Sequence, residues 1–319
     1  MLQRYCPDLQ ILAIPLRNEF RGITIREIAI FRGKQGWTEF SPFLEYEDEE
    51  SATWLQAALE AGNEPWPALY RERVAINATL PIVLPTQVRE ILSRFPGSTT
   101  VKVKVDDFES GAEVVDAVLN LFPDMRVRLD VNGRWSAPEA VTNLLAYYRR
   151  FGDVFEYVEQ PAKTLDELAL IKAQVPIQIA ADESIRKHLD ANFKNFADYA
   201  DIAILKWQPL GGFAVAHKIA DEIKLPVVVS SALETGIGIS HGLALAASFT
   251  NNSFACGLGT VALFEDDICR PATLAIDGFI EVKRREPNSF ERYLAPPERA
   301  EFWRQRILRA LEVLERRAI

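Results

Sequence analysis

Short apolar runs recur along most of the chain, and some of them alternate strictly with polar residues. In VKVKV, residues 101–105, valines and lysines alternate with a period of two, which predicts a β-strand. Taken alone, this run predicts an exposed edge strand, because lysines on an edge discourage unwanted pairing. Strand-like runs occur at residues 74–80, 100–105, 126–132, 155–161, 177–183, 201–209, 225–234 and 254–260.

Segments between these runs carry apolar residues at i, i+3 and i+4, the pattern of amphipathic helices. Thr164 opens one segment and Glu167 comes three residues later, which predicts a capping box; Ser136 and Glu139 have the same spacing. Evenly spaced strand–helix units, repeated about eight times, predict a closed (β/α) barrel over residues 73–275. An open doubly wound sheet is the alternative, but the Gly-rich phosphate fingerprint that would follow its first strand is missing.

The even spacing of strand–helix units is absent from both ends of the chain. Residues 1–72 combine strand-like segments with a helical one and predict a small α+β domain ahead of the barrel. Residues 276–319 predict a strand-like segment and then an amphipathic helix, which we expect to pack back on the barrel or on the first domain.

Composition narrows the class of protein. The chain has 319 residues, 48% of them hydrophobic, and a net charge of −9, with no basic run that predicts a nucleic-acid or membrane partner. No stretch reaches the roughly 18 apolar residues of a membrane span, and the N-terminus lacks the pattern of a signal peptide. Three scattered cysteines fit neither a disulfide framework nor a zinc site. We therefore expect a soluble cytoplasmic protein.

Charged and polar residues close several of the runs, and in a barrel the carboxyl ends of the strands form the mouth where chemistry occurs. These residues are Lys102, Lys104, Asp130, Asn132, Glu159, Asp182, Glu183, Lys206, Ser230, Ser231 and Glu234. Asp130, Glu159 and Asp182 come from three successive strands, and converging carboxylates repel one another unless a cation lies among them. Oxygen ligands of this kind predict a hard divalent ion, Mg²⁺.

Lys104 and Lys206 are predicted to flank these carboxylates on both sides of the mouth. The three histidines are not at metal-ligand spacing, so a lysine or a carboxylate is the expected base. A second lysine, Lys102, and a metal ion would lower the pKa of Lys104 toward neutrality, where it acts as a base. The set predicts removal of the α-proton of a metal-bound carboxylate substrate and an enediolate intermediate. A non-catalytic barrel with the same charges in salt bridges is the alternative.

The motifs KVK (102–104), DVN (130–132), VEQP (158–161), ADES (181–184) and LKWQPLGG (205–212) resemble the enolase superfamily, and within it the muconate-lactonising subgroup. GWTEFSPF is similar to the N-terminal capping domain of that family, and GLGTVALFEDDI is similar to its eighth strand and the segment after that strand. The resemblance covers nearly the whole chain. It implies an α/β fold, a modified (β/α)8 barrel of the (β/α)7β type with an α+β capping domain, and a lysine base working with Mg²⁺.

Within the subgroup, SSALETGIG (230–238), ADESI and RLDVN resemble the enzymes that dehydrate 2-succinyl-6-hydroxy-2,4-cyclohexadiene-1-carboxylate to o-succinylbenzoate in menaquinone biosynthesis. The resemblance implies that Lys104 removes the α-proton and then protonates the departing hydroxyl, and that Lys206 stabilises charge on the other face. It implies Mg²⁺ ligands at Asp130, Glu159 and Asp182. The residues that it places near the substrate are Asn132, Arg128, Glu183, Ser230 and Ser231, with Phe20 and Arg21 in a closing loop.

Three residues depart from the family pattern, and the sequence is consistent with more than one substrate. Thr38 stands where relatives often carry Gly, and Trp207 and Gln208 replace smaller residues, so we expect a changed pocket shape. A racemase of N-succinylamino acids or a dipeptide epimerase would use the same two lysines as opposed bases, and muconate cycloisomerisation is a further option. Dipeptide epimerases usually show an acidic DxD-like element late in the barrel, whereas EDD at 265–267 lies past the eighth run. The oligomeric state is not predicted.

Overall fold

The chain begins with an antiparallel sheet. The structure, a computed structural model, describes residues 1–187, 193–251 and 253–317. Helix α1 (Leu2–Tyr5) precedes strands β1 (Gln10–Phe20), β2 (Ile23–Gly33) and β3 (Gly36–Phe40), which pair in that order, and helix α2 (Asp48–Asn63) comes next. Phe20 pairs with Ile23, so Arg21 and Gly22 form a two-residue hairpin turn, and their positive φ angles of 53° and 77° suit a type I′ turn.

A curled parallel sheet forms the larger part of the molecule. Its strands are β5 (Ala78–Leu80), β6 (Thr100–Lys104), β7 (Arg126–Asp130), β8 (Phe155–Glu159), β9 (Ile179–Ala181), β10 (Ile202–Leu205) and β11 (Val227–Val229). In spatial order the sheet runs β11-β10-β9-β8-β7-β6-β5. The helices that connect or follow them are α3 (Val88–Leu92), α4 (Phe108–Leu121), α5 (Ala137–Phe151), α6 (Leu165–Lys172), α7 (Glu183–Arg186), α8 (Trp207–Leu210), α9 (Phe213–Ile223) and α10 (Gly236–Ala247).

The eighth predicted strand closes the barrel without forming a regular strand. Cys256 donates its N–H to the Ala75 carbonyl at 2.7 Å, and its own carbonyl accepts from Asn77 N at 3.0 Å. Gly257 N donates to the Val229 carbonyl at 2.9 Å on the other side. The segment therefore bridges the two edges of the parallel sheet, and the predicted modified barrel with an α+β cap is confirmed.

The first predicted run, residues 74–80, divides into two strands. Its beginning, β4 (Arg73–Ala75), pairs antiparallel with β12 (Phe279–Glu281), and only β5 joins the parallel sheet. The final helix α11 (Pro297–Arg317) packs on α2, and its buried Arg306 donates to the carbonyls of Pro42, Phe43 and Tyr46. The predicted domain boundaries after residues 72 and 275 stay predictions.

Burial explains why the alternation in VKVKV was a misleading sign of an edge. Strand β6 lies between β5 and β7, and four of its five residues are buried, including Lys102. Parallel strands in a barrel are covered on both faces, by helices outside and by side chains inside. The valines therefore face the helices while the lysines face the barrel interior. None of the described helices has the length and apolar character needed to cross a membrane.

Candidate active site

Strand register places the predicted site residues at one level of the barrel. Lys104, Asp130 and Glu159 are cross-strand partners at the last positions of β6, β7 and β8. Asp182 and Lys206 directly follow β9 and β10. Because parallel strands point their carboxyl ends the same way, all five side chains meet at the barrel mouth.

Lys102 and Lys104 both bind the carboxylates of the neighbouring strands. Lys102 Nζ lies 2.9 Å from Glu159 Oε2 and 3.2 Å from Asp130 Oδ2. Lys104 Nζ lies 2.8 Å from the same Asp130 oxygen and donates to Asn132 Oδ1 at 2.7 Å. The two ammonium groups therefore lie close together, on either side of one carboxylate oxygen.

Lys206 forms the opposite side of the site. It directly follows β10, which is separated from β6 by three strands, so the two positions lie half of the barrel circumference apart. Lys206 Nζ binds Asp182 Oδ2 at 2.5 Å. Arg186, one helical turn after Asp182, lies 3.6 Å from Asp182 Oδ1 and donates to Glu183 Oε1 at 3.1 Å. Lys104 and Lys206 thus face each other across the carboxylates.

Burial and neighbouring charges move the pKa values of these lysines in opposite directions. Burial lowers the pKa of Lys104 and Lys102 lowers it further, and together they outweigh the opposing effect of Asp130, so the pKa of Lys104 lies below its usual value. Burial also lowers the pKa of Lys206, but Asp182 and Glu159 outweigh that effect and leave it raised. Lys104 is accordingly the lysine that loses its proton more readily.

The cavity is bounded by the barrel mouth and the N-terminal domain. From the barrel it is lined by Lys102, Lys104, Asp130, Asn132, Glu183, Lys206, Ser230 and Ser231, among others. Glu159 and Asp182 lie beneath this lining, each held by one of its lysines. The Ser231 hydroxyl forms a hydrogen bond with the Thr260 hydroxyl, with 2.7 Å between the two oxygens. Phe20 and Arg21 of the hairpin turn line the cavity from the other side.

Comparisons with known families agree with this geometry. Residues 11–62 match the family model described as enolase N-terminal domain-like, and residues 86–287 match the model described as enolase C-terminal domain-like. The second match alone covers more than half of the chain. The chain belongs to the enolase superfamily.

Two o-succinylbenzoate synthases are similar to this superfamily member over nearly its full length. The protein from Mycobacterium tuberculosis is 44% identical over 312 residues, which are 96% of this chain and 94% of the relative. That from Mycolicibacterium smegmatis is 45% identical over 305 residues, 94% of each chain. Among solved structures, the L-Ala-D/L-Glu epimerase from Bacillus subtilis has a TM-score of 0.73 at 20% identity, over 91% of this chain and 98% of the epimerase. That similarity supports the superfamily fold.

Enzymes of the enolase superfamily generally use a divalent metal ion, and the donor chemistry here fits one. Asp130, Glu159 and Asp182 are almost fully buried, and the Oδ1 atoms of Asp130 and Asp182 accept no hydrogen bond from any described residue. Such oxygens are ligands of hard cations. Within the described ranges, no three carboxylate, histidine or cysteine side chains are grouped closely enough to hold an ion. Lysine ammonium groups bind the carboxylates instead, so ion binding requires these contacts to rearrange.

Arg128 does not reach the cavity. It is the cross-strand partner of Lys102, yet its guanidinium extends toward the amino ends of the strands, where it binds Glu156 at 2.7 Å and Asn77 at 2.9 Å. Its guanidinium also lies over the Tyr157 ring at 4.7 Å from the centroid. The structure thus places Arg128 at the base of the barrel interior, and the expected substrate contact is not supported.

The three residues that depart from the family pattern also lie outside the cavity lining. Gln208 accepts a hydrogen bond from Ser41 N at 3.1 Å and so joins barrel to capping domain. Trp207 is fully buried against His241, with ring centroids 4.9 Å apart. Thr38 is buried beside Gly62. Of these three residues Gln208 joins the two parts of the molecule, and none of them lines the cavity, so the expectation that they shape the pocket is not supported.

Sequence reasoning did not find the contribution of the capping domain beyond Phe20 and Arg21. Phe43, Tyr46 and Trp54 of the capping domain also line the cavity, as does Arg186. The i+4 spacing from Asp182 was an available signal for Arg186. Phe43 and Tyr46 come after β3 in an irregular segment, where no periodic pattern marks them.

Proposed function

We propose that this chain is an o-succinylbenzoate synthase, which dehydrates 2-succinyl-6-hydroxy-2,4-cyclohexadiene-1-carboxylate to o-succinylbenzoate. One observation carries the reaction type: Lys104, a partly buried lysine with a lowered pKa, faces a second lysine across strand-end carboxylates in a cavity. The names of relatives at 44% and 45% identity supply the substrate.

Lys104 acts in its neutral form. Its Nζ takes the proton from C1, the carbon that bears the ring carboxylate, and the C1–H electron pair is first delocalised onto that carboxylate. The same pair then forms the C1–C6 double bond as the C6–O bond breaks. The departing hydroxyl takes the same proton from Lys104, so one water leaves and the lysine is neutral again. Both transfers occur on one face of the ring, which makes the elimination syn.

Lys206 remains charged throughout. Its raised pKa keeps it as an ammonium group, and it lies on the opposite side of the mouth from Lys104. A cation there stabilises negative charge that develops on the ring carboxylate and lies against the ring face. Lys102 keeps the ammonium form of Lys104 disfavoured.

Asp130, Glu159 and Asp182 are the residues that would hold the divalent ion, which we propose to be Mg²⁺. When bound, the ion supplies positive charge that makes the α-carbon of a bound carboxylate more acidic. Asn132 accepts a hydrogen bond from Lys104 and donates one to Glu183 Oε1 at 3.4 Å, so Asn132 and Glu183 both support the site. We propose Ser230 and Ser231 as contacts of the succinyl chain. We further propose a cytoplasmic enzyme of menaquinone biosynthesis that acts on a small-molecule carboxylate.

The rival function is racemisation or epimerisation, and the late acidic element argues against a dipeptide substrate. Asp267 accepts hydrogen bonds from the backbone N–H groups of Gly236 at 3.0 Å and Thr273 at 2.8 Å. Asp266 pairs with Arg270 and Arg292. Neither aspartate belongs to the described cavity lining, so neither is placed to bind the amine of a dipeptide.

The proposal is tested by giving the purified chain the cyclohexadiene carboxylate with Mg²⁺ and following the absorbance change of ring aromatisation. N-succinylamino acids are tested in parallel by polarimetry. We expect rapid dehydration that is much more efficient than racemisation. Racemisation without dehydration would overturn the proposed substrate and favour the two-base function.

A further inference from the structure

The proposed substrate and product each carry two carboxylates, one on the ring and one at the end of the succinyl chain. The chemistry at Lys104 accounts for the ring carboxylate only. A second carboxylate that entered the cavity without a counter-charge would be strongly disfavoured, because burying an unpaired charge is costly. The site therefore needs a cation that its carboxylates do not already neutralise.

The described cavity lining contains five cationic side chains, and four of them pair with carboxylates at the barrel mouth. These four are Lys102, Lys104, Lys206 and Arg186. The fifth, Arg21, differs. Its carboxylate partner is Glu45 at 3.4 Å, and the Glu45 side chain is 57% exposed. An exposed pair of this kind contributes little and is readily exchanged for a better partner.

The surroundings of Arg21 suit an anion. Its guanidinium lies over the Phe43 ring, 4.5 Å from the centroid, and Tyr46 lines the same cavity. Arg186 Nη1 donates to the Tyr46 oxygen, at 3.3 Å. Arg21 and Arg186 thus line the same cavity as Tyr46, and the repulsion between their two positive charges is relieved when a carboxylate binds beside them.

Backbone geometry holds Arg21 in place. The turn that contains it connects two long paired strands, and its φ of 53° is the left-handed conformation that a type I′ turn requires. The preceding residue, Phe20, has its ring centroid 5.2 Å from Lys104 Nζ. The same turn therefore lies against the proposed base and supplies a guanidinium group to the cavity, so one ligand is able to contact both.

We propose that Arg21, together with the Tyr46 hydroxyl, forms the binding site for the terminal carboxylate of the succinyl chain. This inference rests on the proposed function and adds to it the residues that select a dianionic substrate. Ser230 is then left to the neutral ketone of the same chain. The carboxylate replaces Glu45 as the partner of Arg21 and brings the capping hairpin and the barrel mouth onto one ligand.

The test compares two ligands that differ in this carboxylate alone. o-Succinylbenzoate has it, and 2-butanoylbenzoate has a methyl group in its place. Dissociation constants are measured by calorimetry, with Mg²⁺ present, for the wild type, Arg21→Met and Arg134→Met. Arg134 is a matched control because it lies at the outer opening of the cavity, paired with Asp106, and does not line the inner part. Methionine leaves the turn with the same non-glycine strain as arginine.

We expect the wild type and Arg134→Met to bind o-succinylbenzoate about 10- to 100-fold more tightly than 2-butanoylbenzoate, as charge-assisted hydrogen bonds allow. Arg21→Met should bring this ratio close to one while keeping its affinity for 2-butanoylbenzoate. An unchanged ratio in Arg21→Met, or an equal loss for both ligands, overturns the inference. The dehydration assay on the wild type stands apart from this result: a wild type that dehydrates its substrate while Arg21→Met keeps the ratio refutes only the carboxylate site.

Discussion

Glu39→Ala should weaken the attachment of the capping domain to the barrel. Glu39 is the penultimate residue of β3 and is fully buried. Its Oε2 accepts hydrogen bonds from Thr235 N at 3.1 Å, Thr235 Oγ1 at 2.6 Å and Gly238 N at 3.2 Å, all at the start of helix α10. Its Oε1 accepts from Ser41 Oγ at 2.7 Å. A carboxylate of the capping domain thus caps a helix of the barrel.

The size of the effect depends on the donors that are left behind. Alanine leaves two buried backbone N–H groups, of Thr235 and Gly238, without their acceptor, because the first turn of a helix has no internal partners for them. Each costs about 1–3 kcal/mol, so the free energy of unfolding should fall by about 2–6 kcal/mol. Glu39→Gln is the matched control. Its amide oxygen keeps the same acceptor position and only the charge at the helix N-terminus is lost, which costs about 1 kcal/mol.

Urea unfolding followed by tryptophan fluorescence measures both variants, since Trp54, Trp207 and Trp303 are buried in the fold. KM for the dehydration should rise in Glu39→Ala, because helix α10 comes directly after the segment of Ser230 and Ser231 that lines the cavity. Equal losses in the two variants, or a loss below about 1 kcal/mol in Glu39→Ala, would refute this reasoning, because the unsatisfied donors would then cost less than assumed.

Further predictions concern stability in acid and the chemistry itself. Burial lowers the pKa of His241, whose Nδ1 accepts a hydrogen bond from Trp66, to about 3, whereas in the unfolded state the histidine binds a proton below pH 6.5. The free energy of unfolding therefore falls as the pH drops below 6.5, by about 2 kcal/mol at pH 5. Urea unfolding of His241→Asn should lack this loss. An equal decline in the variant contradicts it. Lys104→Ala should lose turnover but keep the wild-type circular dichroism spectrum. Lys206→Ala should also fail at dehydration. A near-wild-type rate in either variant would refute the role assigned to that lysine. Chelation of divalent ions should abolish dehydration and added Mg²⁺ restore it, whereas full activity in chelator would exclude a metal role.

Strand periodicity accounts for how well the barrel could be predicted. In VKVKV the period of two correctly put Lys102 and Lys104 on one face, and evenly spaced strand–helix units correctly predicted the barrel interior as that face. Thr164 and Glu167 form the predicted capping box, with bonds at 3.0 and 3.3 Å between the side chain of one residue and the backbone of the other. These features depend on neighbours within a few residues, which a sequence pattern reveals directly.

Contacts between distant segments were not predictable in the same way. Arg128 and Lys102 share a level and a face, yet Arg128 turns toward Glu156 and Asn77 at the base of the barrel because acceptors are available there. Glu39 and Thr235 meet across 196 positions in the chain. The partners in such contacts depend on how two folded parts pack together, and periodicity along the chain carries no information about that.

Kinetics with substrate deuterated at C1 test the central claim most directly, since that claim is that Lys104 takes this proton in the dehydration. The rate of aromatisation is measured for the protonated and deuterated substrates in the wild type and in Lys104→Ala, with Mg²⁺ present. We predict slower turnover of the deuterated substrate by the wild type and no turnover of either by the variant. Equal rates for both substrates in the wild type, together with dehydration by Lys104→Ala, would contradict the account.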